Sequence, residues 1–138
     1  MKKTFIYAGS RSHVLEGMIK SCSTNELSIL ALNNSFLETY CKNNKLKYNS
    51  FDGSIDLHKQ LSTLMEDAES EICFISSGIP FKINVNKYSD IVFLNIHPSL
   101  LPTLKGRDPA IGAILFSESF GASIHIMNNK FDDGEVVW

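Results

Sequence analysis

Short apolar runs, each bounded by small or polar residues, alternate along this chain with stretches whose apolar residues recur at helical spacing. That alternation restricts the fold to strands and helices taken in turn. Thr4–Ala8, Leu27–Leu32, Ile72–Ile75 and Ile91–Ile96 read as buried strands. Between them, Val14, Leu15, Met18 and Ile19 form one stripe behind a Ser12 cap. Ser35 and Glu38 stand at capping-box spacing, with Phe36, Leu37, Tyr40 and Cys41 on one helical face. Ile55, Leu57, Leu61, Leu64, Met65 and Ala68 mark a third helix. A short extended piece is expected near Lys47–Phe51. Asp108-Pro109 reads as the cap and first turn of a helix carrying Ile111, Ala113, Ile114 and Leu115. Ser123–Met127 alternates like a half-buried strand, and Asp133-Gly134 turns the chain into a last strand over Glu135–Trp138. The pattern predicts an α/β domain on a doubly wound, mostly parallel sheet.

With 138 residues the chain makes one domain with its own core. A net charge of -2 argues against a broad basic face for nucleic acid. Cys22, Cys41 and Cys73 lie far apart with no CxxC spacing, which suits reduced thiols in a cytoplasmic protein. Lys2 and Lys3 precede an apolar run that Gly9 and Ser10 break, too short for a signal peptide, and no stretch reaches the length of a membrane span. The expected partner is therefore a small molecule, with no nucleic acid and no membrane.

Ligands of open α/β sheets bind at the carboxyl ends of the strands. Three places qualify: the turn Gly9, Ser10, Arg11, Ser12, His13; the segment Ser76 to Ile79; and the stretch Asn95 to Pro109. The first turn lacks GxGxxG, which counts against a dinucleotide site. Side chains two apart in a strand share a face, so Asn95 and His97 point together, and Pro98 ends the ladder behind them. A carboxylate to orient the imidazole could come from Asp132 or Asp133. Such a trio suits acyl transfer to an amine with no metal. An amide donor to the oxyanion is worth about 100- to 1000-fold. An imidazole that donates and relays protons adds about 100- to 10,000-fold.

Plainer readings attach to the same residues. A strand-end Asn-x-His can simply bond loop backbone, and Asp-Asp-Gly is ordinary turn chemistry. Leu100, Leu101 and Leu104 read as core plugs, Arg107 and Asp108 as a surface ion pair and cap, His125 as structural, and His13 and His58 as solvated helix positions.

Asn-x-His-Pro-Ser-Leu-Leu-Pro, then Gly-Arg-Asp-Pro, Ser-Ile-His-Ile-Met and Phe-Asp-Asp-Gly-Glu-Val-Val, taken in order over about Ile72 to Val137, resemble the folate-dependent formyltransferases. That family acts on glycinamide ribonucleotide, methionyl-tRNA and sugar nucleotides, and includes formyltetrahydrofolate hydrolases. The resemblance implies a Rossmann-like formyltransferase domain in which catalysis falls to Asn95, His97 and Asp132. Asp132 is preferred because the family pattern is hydrophobic-Asp-x-Gly. The implied donor is 10-formyltetrahydrofolate. Its pteridine would lie against Ile79, Pro80, Phe81 and Ile83, and against Asn128, Asn129 and Phe131, beside Ser99, Leu100 and Leu101. The acceptor would sit by Gly9, Ser10, Arg11, Ser12 and Arg107.

Gly-Arg-Asp-Pro is closer to the amino-sugar branch, so the expected acceptor is an amino sugar nucleotide or a similar phosphorylated amine. A hydrolase, or a non-catalytic folate- or nucleotide-binding relative, is the alternative. Family members usually continue past the Asp-x-Gly strand into a further helix. The sequence ends at Trp138, so a domain short of that helix is expected, and an apolar strand edge there suits a homo-oligomer or further residues.

Overall fold

The structure, a computed structural model, describes residues 3–21, 26–66 and 71–138. The expectations for Lys2, Cys22 and Ala68 lie outside the described residues.

The strands are β1 (Lys3–Gly9), β2 (Leu27–Leu32), β3 (Asn49–Phe51), β4 (Glu71–Ser77), β5 (Ile91–His97) and β6 (Ser123–Ile126). The helices are α1 (Ser12–Ser21), α2 (Phe36–Asn43), α3 (Ser54–Glu66) and α4 (Pro109–Phe116). The strands form one sheet in the order β3-β2-β1-β4-β5-β6, parallel except for β6, which runs against β5. This is the predicted doubly wound, mostly parallel sheet.

Alternation along β1 explains the two-sided core. Ile6 and Ala8 face one side, with Leu30, Phe51, Phe74 and Phe93 from neighbouring strands and Leu57 and Leu61 from α3. Tyr7 faces the other, with Ile29, Ala31, Leu15 of α1 and Leu37 and Cys41 of α2. Strands covered on both faces must be apolar throughout, which is why they read as continuous runs.

Strand order reverses between β1 and β4, opening a crevice at their carboxyl ends. Gly9 and Ser77 are in register there, and a Cβ on Gly9 would collide with the Ser77 carbonyl. The ends of β1 and β4 therefore close only with glycine at position 9.

Several local expectations shift. Ser12 is the first residue of α1 rather than the residue before it. Ser35 caps α2, accepting from Glu38 N–H at 3.2 Å, but the Glu38 carboxylate returns to Asn34 N–H at 2.9 Å because Ser35 N–H already donates to Leu32 O. Ser35→Ala removes the cap acceptor and should cost about 1 kcal/mol, read as a lowered melting midpoint with a native circular-dichroism spectrum.

Asp108 occupies the residue before α4 with a left-handed backbone (φ 52), not the extended one a cap residue usually takes, and makes no side-chain capping bond. Leu100, Leu101 and Leu104 are not core plugs. Their loop crosses the sheet end, leaving Leu100 47% exposed and the other two half-buried. Leu100 and Leu104 instead rest against Gly121 and Gly112, where any Cβ would crowd them.

Helix α4 is apolar on every side, so burial has no stripe to select. Pro109 and Ala113 are buried while Ile111, Ile114 and Leu115 stand exposed. His58 is half-buried, not solvated, with Nδ1 2.6 Å from the Tyr88 hydroxyl. The predicted last strand is reduced to a single bridge, Val136 with His125, extended by Ile126 N–H to Glu135 O (2.8 Å) and Val137 N–H to Ile124 O (2.8 Å). Cys41 is buried within α2 and Cys73 lies half-buried on β4. Among the described residues no helix is long and apolar enough to cross a membrane.

Candidate active site

Three structural devices bring distant residues to the carboxyl end of β5. The strand itself places Asn95 and His97 on one face. Antiparallel pairing with β6 sets His125 opposite Asn95 and Ser123 opposite His97. The turn before the bridge places Asp132, whose left-handed backbone (φ 49) an aspartate tolerates better than most residues.

Asp132 is the hub. Its Oδ2 accepts the Gly106 backbone N–H at 2.8 Å. Its Oδ1 lies 3.3 Å from Asn95 Nδ2, 3.4 Å from His97 Nδ1 and 3.5 Å from His125 Nε2. The two histidines and the aspartate are buried. Asp133 takes no part: it is ion-paired with Lys105 at 2.6 Å and Lys130 at 3.8 Å. Of the two carboxylates open to sequence reasoning, geometry selects Asp132.

The hydrogen bonds orient every group. The Ser76 hydroxyl donates to Asn95 Oδ1 at 2.8 Å, so the amide must turn Nδ2 toward Asp132 and His125. His97 Nε2 donates to Leu104 O at 2.9 Å; a carbonyl only accepts, so this nitrogen carries the proton and Nδ1 is left to face the site. The plain reading of Asn-x-His as a partner of loop backbone thus holds for one ring nitrogen and leaves the other available. Leu104 has φ 56, a strained conformation for a leucine, kept where its carbonyl anchors His97.

Charge follows geometry. Burial works to raise the Asp132 carboxyl, but the hydrogen bonds from His125 and Gly106 and the nearby imidazoles outweigh it and hold it below the ordinary value of 3.8. His125 moves the other way: its hydrogen bond to Asp132 raises it above 6.5, while burial opposes and Lys105 repels.

A depressed carboxyl stabilises the fold above its unfolded value, and the contribution is lost as pH falls through the folded value, below 3.8. A raised imidazole stabilises fully below 6.5, and its contribution is lost as pH rises through the folded value above that. Melting midpoints measured against pH should therefore decline on both sides of a plateau between these limits. Asp132→Asn should flatten both declines, whereas His125→Phe should flatten the alkaline one.

A cavity of about 480 Å³ opens beside the cluster. Ile79, Pro80, Phe81 and Ile83 line it from the segment after β4, and Asn128 and Phe131 from the turn after β6. Lys82 Nζ sits 5.3 Å from the Phe131 ring centroid, linking the two segments across the mouth. Asn95, His97, Asp132, Arg11 and Arg107 also face this cavity.

Other expected site residues do not. Asn129, Ser99, Leu100 and Leu101 lie off the lining. Ser99 is buried and its hydroxyl donates to Thr103 O at 2.8 Å, so it shapes the loop. Leu101 N–H is held by Ser123 Oγ at 3.0 Å. Gly9, Ser10 and Ser12 likewise stay outside the cavity; the Ser10 hydroxyl donates to Gly78 O at 2.8 Å. Arg11 and Arg107 are the expected acceptor-side residues that line this cavity.

Sequence reasoning missed three contributors. His125, read as structural, touches both Asn95 and Asp132. Ser76 was placed only as a strand-end residue, and the backbone N–H of Gly106 not at all. The signal for His125 was present: pairing the two alternating strands antiparallel puts it directly across from Asn95.

The structure is thus an α/β domain on a doubly wound sheet, with an amide–imidazole–carboxylate cluster at its strand ends. Residues 84–138 match the family model described as formyl transferase. A stretch of 46 residues is 44% identical to the methionyl-tRNA formyltransferase of Chloroflexus aurantiacus, spanning 33% of this chain and 15% of that protein.

The fold superimposes on phosphoribosylglycinamide formyltransferase from Streptococcus pneumoniae with a TM-score of 0.78 and 18% identity, over 100% of this chain and 80% of that one. It also superimposes on a sugar N-formyltransferase from a Shewanella species, with a TM-score of 0.70 and 18% identity, over 100% and 56% of the two chains. Over residues 84–138 the chain is thus similar to the formyl transferase family, and it shares its fold with the solved formyltransferases.

Proposed function

We propose that this chain transfers a formyl group from 10-formyltetrahydrofolate to a primary amine of a small phosphorylated acceptor, an amino sugar nucleotide or a similar compound, in the cytoplasm. The observation that carries the reading is the convergence of Asn95, His97 and His125 on one oxygen of Asp132 at the wall of a cavity. The lining fits the donor: Ile79, Pro80, Phe81 and Phe131 give apolar walls for a flat bicyclic ring, and a 480 Å³ space is of ligand size.

The acceptor nitrogen attacks the formyl carbon, the bond from that carbon to the folate nitrogen breaks, and one proton passes from the amine to the leaving nitrogen. Asn95 Nδ2 donates to the oxygen as it gains charge, and the single N–H at Nδ1 of a protonated His97 is shared between that oxygen and Asp132 Oδ1. Asp132 holds the imidazole and stabilises its protonated form. Arg11 and Arg107, at the cavity, suit an acceptor phosphate as charged forks.

The test is to incubate the protein with the formyl donor and a panel of phosphorylated and unphosphorylated amines, following formylated product by mass spectrometry. Product that forms only with phosphorylated amines and falls on Arg11→Ala supports the reading. Formate released at the same rate with and without amines would favour transfer to water and overturn it.

A further inference from the structure

The donors around Asn95 raise a difficulty that the protonation of His125 resolves. The Asn95 amide has two N–H hydrogens. In this arrangement one goes to Asp132 Oδ1 at 3.3 Å and the other to His125 Nε2 at 3.1 Å. Neither is left for a substrate oxygen. The Ser76 hydroxyl donates to Oδ1 at 2.8 Å, which fixes the edge that the NH2 group presents to Asp132 and His125.

His125 has its own constraint. Its Nδ1 lies 3.1 Å from the Ile126 carbonyl and so carries a hydrogen. In the neutral ring Nε2 therefore has a lone pair and accepts from Asn95. In the cationic ring Nε2 carries a hydrogen, cannot accept, and has Asp132 Oδ1 within 3.5 Å to receive it. The same atom thus changes partner with one proton.

We infer that His125, which also lines the cavity, is a positioning residue whose protonation ends the Asn95–His125 contact and leaves one Asn95 N–H unpaired at the cavity wall, so that a proton on a neighbouring histidine decides whether the site has its amide donor. The inference rests on the reading of Asn95 as the donor to the formyl oxygen. It goes further by assigning a switch to a histidine outside the Asn95–His97–Asp132 set.

Among the described residues, three charged or titratable groups act on His125 or share its partner. From the turn after β6, Asp132 favours the cation. From β5, His97 shares the same carboxylate oxygen and competes for it. From the loop after β5, Lys105 disfavours the cation. The outer bridge contributes Val136, which has no charge. The Asp132 hydrogen bond is the largest of these influences, so the cation is favoured relative to a free imidazole.

Two measurements on the whole chain test the switch. In a nitrogen-15 proton spectrum followed against pH, the Asn95 side-chain amide signals should shift with the same midpoint as the His125 ring nitrogens. In kinetics, His125→Phe removes the acceptor and frees the Asn95 hydrogen permanently. The kcat–pH profile of that variant should lose one ionisation from its alkaline limb, a change of about tenfold per pH unit in steepness.

Asn95 amide signals that stay fixed while His125 titrates would overturn the switch, whatever the kinetics. An unchanged alkaline limb in a folded His125→Phe would do the same. Shared titration in a protein that turns over no donor would support the switch and count against the proposed reaction, so the two can fail separately. Should His125→Phe not fold, the wild-type spectrum alone decides.

Discussion

Asp132→Asn should lower kcat on the order of 1000- to 10,000-fold, the scale seen when the group that orients a catalytic histidine loses its charge. The substitution preserves size, so the effect is electrical. The Gly106 N–H at 2.8 Å demands an oxygen, which fixes the new amide with its NH2 toward the former Oδ1 position. That NH2 would then confront Asn95 Nδ2, His97 Nδ1 and His125 Nε2, groups that now converge on an acceptor within 3.3 to 3.5 Å. The Asn95 amide then meets a donor where an acceptor stood and must move apart, and the positive charge that develops on His97 during transfer has no counter-charge. Steady-state formyl transfer checks the magnitude. A folate analogue that binds with unchanged affinity would show that the loss lies in the chemical step.

Asn95→Ala should reduce kcat about 100- to 1000-fold with little change in KM for the donor, since the amide acts on charge that exists only in the transition state. It also strips a partner from the Ser76 hydroxyl and from His125 Nε2. A buried polar group left without its bond costs about 1–3 kcal/mol, so a lowered melting midpoint should accompany the kinetic loss. Ser76→Ala separates the two effects. It leaves the amide in place but frees it to turn, and should cost less activity than Asn95→Ala while lowering stability comparably.

The parts of the fold that were legible in the sequence are those set by local periodicity. The strands at β2 and β5 and the capped helix α2 follow from apolar spacing and turn chemistry alone, and the alternation of strand and helix fixes the doubly wound sheet. The carboxyl-end rule nominated three places, the end of β5 among them, and strand alternation put Asn95 and His97 on one face there. What was not legible depends on pairing across the chain. His125 becomes a site residue only because β6 runs antiparallel to β5 in the register that sets it against Asn95.

The loop leucines failed for a similar reason. Apolar residues between prolines look buried, yet this loop crosses the sheet end, where glycines at 112 and 121 leave room for leucines on the outside. Helix α4 was foreseen as a helix, but with apolar residues all round nothing in its sequence could say which side would meet the core.

One measurement bears most directly on the claim that a single carboxylate oxygen organises this site for formyl transfer. Wild-type protein and Asp132→Asn, each saturated with formyl donor, are mixed with the acceptor amine that the panel identifies, and formylated product is followed through a single turnover. The account predicts a rapid product phase in the wild type and one slowed about 1000-fold or more in the variant. Equal rates in the two proteins would contradict it.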